Sequence, residues 1–196
     1  MLPLPRDCRL PFLGSRRYLH GTTLFDAMLL HVPKGATISF KIPHRIETDC
    51  VRIVDAAGMN AREFASLAWT YQGGRGAIAA IPLPGNPVQQ RIEYDEERIS
   101  SHLQMSERSV TLDLNSPFSF VATLIPMFKV LLHENFQPSV PGQWMFTRLD
   151  VDYPPDDFRP LRLQLDSIIG GLLSRSEVYC GARLLGRLYF SWVIMH

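Results

Sequence analysis

A histidine, a glycine and a carboxylate fall within seven residues of one another at His20-Gly21 and Asp26. The spacing predicts a helix here: Thr23 is a good N-cap, and Asp26 three residues on completes a T-x-x-D variant of the capping box. A carboxylate on the first turn can orient a water or exchange a proton. The free N–H groups and dipole of a helix start can polarise a carbonyl, and Gly21 lets a ligand approach that backbone closely. His20 beside it, and His102 on a predicted strand ahead of a second helix, are the candidate proton carriers. Arg16-Arg17 could hold phosphates. Each position also has a plainer reading. Asp26 is a cap residue, His20 a surface-loop histidine, His102 a solvent-facing strand residue, and Arg16-Arg17 a solvated pair.

Other clusters carry less. Cys8, Cys50 and Cys180 form no C-x-x-C pair and no even set, so they read as reduced thiols and not as a disulfide or zinc framework. Asp150, Asp152, Asp156 and Asp157 surround Pro154-Pro155 without a histidine or regular loop spacing, so a strand-end turn is expected in place of a metal site. Gln72-Gly73-Gly74-Arg75-Gly76 lacks the Gly-Lys-Ser/Thr ending of a phosphate loop and reads as a hairpin turn. His31 and His133 fall near predicted helix C-termini, where a cation is favoured, and His44 and His196 have no clear partner. Tyr189, Phe190 and Trp192 read as packing residues.

These groups must be positioned by a mixed set of elements. Leu24 to Leu30 is apolar nearly all round, as a buried helix is, and Pro33 and Gly35 end it. Ile38, Phe40 and Ile42 alternate with polar residues as a strand does; the parity changes between Ile46 and Val51, which predicts a bulge near Thr48-Asp49. A strand over 63–71 turns through the glycines into another over 77–83. The polar stretch 84–98, with Pro84-Gly85-Asn86-Pro87, is the best internal boundary. A strand over 100–114 is expected next, then a helix with Ser116 as N-cap and Pro117 at its first position, running to about Asn135 and kinked at Pro126. After a link at 138–142, strands are expected over 144–153, 161–169, 172–180 and 187–195.

Composition bounds the class. Of 196 residues, 46% are hydrophobic and 20% charged, enough apolar material for a real core and too much for disorder. Twenty basic against 19 acidic residues leave a net charge of +1, which argues against nucleic-acid binding by charge. The start of the sequence lacks a charged segment followed by an apolar core, and the stretch 118–132 is broken by Ser119, Thr123, Pro126 and Lys129. No membrane association and a cytoplasmic location are therefore expected.

The two predicted helices align at an offset of 95 residues, with Phe25/Phe120, Ala27/Ala122 and Leu29/Leu124 identical and Val121 opposite Asp26. The order helix then strands occurs in both halves. This layout resembles the hot-dog superfamily of acyl-thioester dehydratases and thioesterases, as two fused hot dogs covering residues 1–95 and 96–196. Gly21, Asp26 and Ala27 sit at the spacing with which hydroxyacyl dehydratases of that superfamily open their central helix, with Asp in place of Glu; His20-Gly21 is similar to the helix start of its thioesterases. Two positions depart from the dehydratase pattern: His20 replaces a proline, and Ser15-Arg16-Arg17-Tyr18 replaces a Gly-His-Phe segment.

The resemblance implies an α+β double hot-dog, each half a central helix wrapped by a curved antiparallel sheet. It implies 3-hydroxyacyl dehydration or hydration at one site per chain, with Asp26 and either His20 or His102 as acid and base. Gly21, Arg16 and Arg17 would hold the substrate. Thioester hydrolysis on the same fold is the alternative, and a non-catalytic acyl-binding or assembly subunit is a further one. An unrelated α/β sandwich with accidentally similar helices also stays open. The partner would be an acyl group on acyl carrier protein or coenzyme A, with no metal or organic cofactor, in a monomer or homodimer.

Overall fold

The computed structural model describes residues 3–60, 62–84, 90–136 and 140–194. The expected turn at Gly85-Asn86-Pro87, part of the link at 138–142, and His196 lie outside the described residues. The fold is mostly antiparallel sheet with few helices. It divides into two compact units, Met1–Asp95 and Glu96–His196.

The first unit contains β1 (Arg6–Arg9), β2 (Phe12–Leu13), α1 (Gly21–Leu29), β3 (Thr37–Lys41), β4 (Cys50–Asp55), β5 (Ala65–Tyr71), β6 (Gly74–Pro82) and β7 (Arg91–Ile92). Its sheet runs β1-β4-β6-β5-β3, antiparallel throughout, while β2 and β7 form a short parallel pair. The alternation read in the sequence is the alternation of burial: Ile38 and Phe40 of β3, Val51 and Ile53 of β4 and Leu67 of β5 face the core. Tyr71 pairs with Gly74, so Gln72 and Gly73 alone make the β5–β6 turn. Both have positive φ, the conformation of the two-residue turn that matches strand twist. The helix α1 buries Leu24, Phe25 and Met28 completely, and Phe25 meets Phe40 of β3 edge-on at 5.4 Å between ring centres.

One expectation in this unit is corrected. No bulged strand joins Ile46 to Val51. Ile46 bridges to Leu19, and β4 begins only at Cys50, whose N–H is taken by the Thr48 hydroxyl at 3.1 Å. The side chain of Thr48 thus breaks the strand and resets the parity.

The second unit contains α2 (Glu96–Ser100), β8 (Gln104–Ser106), β9 (Ser109–Leu112), α3 (Phe120–Asn135), β10 (Gly142–Asp152), β11 (Leu161–Ile169), β12 (Leu173–Cys180) and β13 (Arg183–Ile194). The sheet order is β10-β13-β12-β11-β9-β8, again antiparallel. The helix α3 lies against β9 and β11, and Phe128 packs on Phe190 of β13 at 4.4 Å. Lys129 of α3 forms an ion pair with Glu96 of α2 at 2.9 Å.

Two expectations here also change. The end of the polar stretch 84–98 starts a short helix, α2, and the span 100–114 is not one strand but the end of α2, a turn and the hairpin β8–β9. The long helix starts at Phe120, not Pro117, because Ser119 and not Ser116 is its N-cap: the Ser119 hydroxyl accepts from Ala122 N–H at 3.3 Å. Ser116 stands one turn outside, its oxygen taken by Phe118 N–H and the Thr123 hydroxyl. Pro126 lies within α3 without ending it.

Candidate functional site at the start of α1

The helix α1 begins three residues earlier than the Thr23 cap predicts. His20 is the N-cap in extended conformation, Gly21 is the first helical residue, and Leu24 N–H already bonds to His20 carbonyl at 3.2 Å. Thr23 is therefore inside the helix, and Asp26 sits in the second turn. The first turn carries no acidic residue, so Asp26 is no part of a capping box. The His20 side chain makes no cap hydrogen bond to the helix backbone. The helix start is held from outside instead: Leu19 N–H donates to Ile46 carbonyl at 2.7 Å.

His20 is buried, with 6% of its surface exposed. Its Nδ1 lies 2.8 Å from the hydroxyl of Thr22, which is itself 1% exposed. The rings of Tyr18 and Tyr94 flank it, centred 6.4 Å and 6.0 Å away. The Arg16 guanidinium lies over Tyr94 at 5.3 Å, and the Arg45 guanidinium over Tyr18 at 5.0 Å. Arg91 donates to the carbonyls of Gly14 and Arg16, both at 2.8 Å, and so fixes the turn that presents Arg16. The Thr23 hydroxyl is buried with no hydrogen-bond partner.

Asp26 is half-buried on α1. From His20 it is about 9 Å along the helix axis and a third of a turn around it, by ordinary helix geometry. Arg17 is exposed and Gly21 is buried.

His102 lies in the second unit, not on a strand but in the turn that closes α2, where its N–H reaches back to Ile99 carbonyl. It is exposed, and its Nδ1 is 2.9 Å from Arg98 carbonyl and 3.1 Å from the Ser101 hydroxyl. It borders a cavity of about 360 Å³ that Arg98, Asp113, Asn115, Ser116 and Arg159 also line. A second cavity, of about 260 Å³, lies by the far half of α1 between Ala27, Leu30, His31 and β1.

No group of three or more metal-ligating side chains occurs among the described residues. The acidic cluster is spent on arginines: Asp150 pairs with Arg148, Asp152 with Arg183 and Asp157 with Arg159. Burial pushes the half-buried Cys8 thiol above its ordinary range, which disfavours the reactive thiolate. No helix among the described residues is long and apolar enough to cross a membrane.

Tyr18, Thr22, Arg45, Arg91 and Tyr94 were not singled out from the sequence. Only Thr22 had a local signal, a hydroxyl two residues from a histidine. The others come from three separate segments that only the fold brings together.

No family model and no curated protein matches the chain. Solved structures do. An acyl-CoA thioesterase II, TesB2 from Mycobacterium marinum, is 8% identical over 91% of this chain and 90% of its own, with a TM-score of 0.43. A bifunctional dehydratase-cyclase domain of ambruticin biosynthesis is 12% identical over 94% and 86%, with a TM-score of 0.45. A hot-dog-fold protein of unknown function from Alicyclobacillus acidocaldarius is 9% identical over 92% and 89%, with a TM-score of 0.41. Thioesterases and dehydratase domains are thus both among the structures similar to most of this chain.

Proposed function

We propose that the chain is two fused hot dogs, 1–95 and 96–196, and that it processes acyl thioesters at the N-terminal end of α1. The observation that carries this reading is the buried, uncapped start of that helix. His20 and Gly21 sit there, and the buried hydroxyl of Thr23 has no hydrogen-bond partner. First-turn N–H groups with no side-chain cap are donors held ready for a carbonyl oxygen, and they act most strongly where water is excluded.

Dehydration of a 3-hydroxyacyl thioester needs one group to take the α-proton and another to protonate the departing hydroxyl. Asp26 and His20, apart along α1, would meet different atoms of the acyl chain. His20 is preferred to His102 because it is buried at the helix start, whereas His102 is exposed and bonded to its own α2 backbone. Hydrolysis is the second reading, favoured by the His20-Gly21 start itself. Asp26 would then hold the water that attacks the thioester carbonyl. Neither route calls for a metal or organic cofactor. The acyl carrier would be coenzyme A or acyl carrier protein, with its phosphate toward the Arg16-Arg17 pair.

The test is a panel of 3-hydroxyacyl, enoyl and saturated acyl thioesters, read together by enoyl absorbance and thiol release, for wild type and Asp26→Asn. Enoyl interconversion reduced about 100-fold or more in the variant is expected for acid–base catalysis by Asp26. Thiol release lost in the variant assigns the thioesterase reading. Silence in both channels with wild type overturns the enzyme and leaves an acyl-binding subunit.

A further inference from the structure

We propose that the cavity between α2 and the segment leading into α3 binds a small polyol phosphate, with His102 accepting a hydrogen bond from it through Nε2. All the residues that line this cavity belong to the second unit, and the site stands whether or not α1 processes thioesters.

The state of the His102 ring follows from its partner. Nδ1 lies 2.9 Å from the Arg98 carbonyl. A carbonyl oxygen only accepts, so Nδ1 carries a proton and donates it. The Ser101 hydroxyl is 3.1 Å from the same nitrogen, and it has the Arg98 carbonyl at 3.5 Å for its own proton. In the neutral ring Nε2 is then the bare nitrogen, and it has no hydrogen-bond partner among the described residues. A backbone carbonyl that holds Nδ1–H fixes both tautomer and orientation, and so readies the other nitrogen for a ligand.

The lining around His102 is held in place and carries groups of both kinds. Ile99 and Leu112 are buried, and Glu96 ties α2 to α3 through Lys129. Asp157 takes Nε and Nη2 of Arg159, at 3.0 Å and 2.9 Å, and the Arg159 backbone N–H at 3.2 Å. That leaves Nη1 of Arg159 as a donor. The Asn115 amide is a further donor, and Arg98 adds a second guanidinium to the wall. The acceptors are His102 Nε2 and the Asp113 carboxylate, which lies within electrostatic reach of Arg159.

This mixture selects the ligand class. An anion without hydroxyls would leave Asp113 facing like charge and Nε2 facing a second acceptor. A neutral polyol would leave the guanidiniums without a counter-charge. A polyol phosphate supplies both halves: phosphate oxygens take hydrogen bonds from Arg159 and Asn115, and hydroxyls donate to His102 Nε2 and Asp113. The volume of about 360 Å³ is at the small end of ligand pockets and suits a ligand of a few carbons.

The experiment is long-range proton–nitrogen correlation NMR on the full chain with labelled histidine, His102 being assigned by His102→Phe. Glycerol phosphate, glycerol and inorganic phosphate are titrated in parallel. In the neutral ring we expect a protonated Nδ1 and a bare Nε2. Glycerol phosphate should shift the Nε2 resonance, with a Kd at least about tenfold below that of either control. By calorimetry His102→Phe and Arg159→Gln, both at exposed positions, should each weaken its binding by about tenfold, with the far-UV circular dichroism of the wild type. A neutral ring protonated on Nε2 overturns the proposal. So does an Nε2 resonance unmoved at roughly 10 mM glycerol phosphate, or one moved equally by inorganic phosphate, which would be an effect of charge alone. Binding that survives unchanged in both folded variants overturns the assignment to this cavity.

Discussion

The placement of the α1 start depends on one aromatic contact, and truncating it should be costly. Phe25 lies fully buried between the helix and β3, edge-on to Phe40, with Leu24 and Met28 buried beside it. Phe25→Ala gives up about 2–3 kcal/mol of transfer free energy. It leaves a void near ~100 Å³, worth roughly 2 kcal/mol at about 24 cal/mol per Å³ where neighbours stay put. The edge-to-face pair adds about 0.5–1 kcal/mol. Partial collapse of the void brings the expected loss to about 4 kcal/mol, within the usual range for a buried phenylalanine. At about 3 °C per kcal/mol for a chain of this size, Tm should fall by roughly 12 °C. Urea titration followed by far-UV circular dichroism measures the loss, and thermal melts check the shift. Phe25→Leu, closer in volume, should cost under about 1.5 kcal/mol. A loss below about 1.5 kcal/mol for Phe25→Ala would refute the packing of α1 on β3 as the anchor of the site.

Further outcomes are as definite. Gly186, opposite Val151 across β10 and β13, has no room for a side chain: a Cβ there would overlap the backbone of Asp150 and Val151, so Gly186→Ala should cost about 3 kcal/mol or more. Gly58→Ala, with nothing within 4 Å but positive φ, should cost only about 1 kcal/mol by the same urea titration. The hydrogen bonds from Arg52 hold the Asp7 carboxyl below its ordinary value of 3.8, and those from Arg159 do the same for Asp157. Their folded pKa is depressed, so their stabilisation is present above about pH 4 and is lost as pH falls through the folded pKa. Carbon NMR titration should find both carboxyls still ionised below pH 3.8, and molar salt should move them back toward the ordinary range; titration at or above it would contradict the pairing.

The sheets were the most legible part of the sequence, because each has one buried face and burial imposes period two. β3, β5, β11 and β12 fall within a residue or two of the expected spans. The turn at Gln72-Gly73 was legible because only a few residue types tolerate its positive φ. The short helix α2 was not. Its Glu96-Glu97 start looks like the polar turn around it, and Ile99 is its single buried residue, too little for a periodic signal. His102 was misplaced onto a strand for that reason.

Helix starts were misjudged by their apparent caps, and this bears on function. Thr23 and Ser116 are good cap types by side chain, but the chain uses His20 and Ser119. The caps in use are therefore 99 residues apart, four more than the offset of 95 at which the two helix sequences align. Counting from them, His20 corresponds to Ser119, Gly21 to Phe120, Thr22 to Val121 and Asp26 to Ile125 in place of Val121. The start of α3 has a serine that makes its cap bond and apolar residues at all three other positions. The start of α1 has a histidine that makes none, a glycine that leaves the backbone open, a hydroxyl tied to the histidine and a carboxylate on the next turn. A helix end needs capping for stability alone, and Ser119 supplies that. His20 forgoes it while being buried. That stability is given up at one helix start and kept at the other is the physical reason to seek the chemistry of this chain at α1.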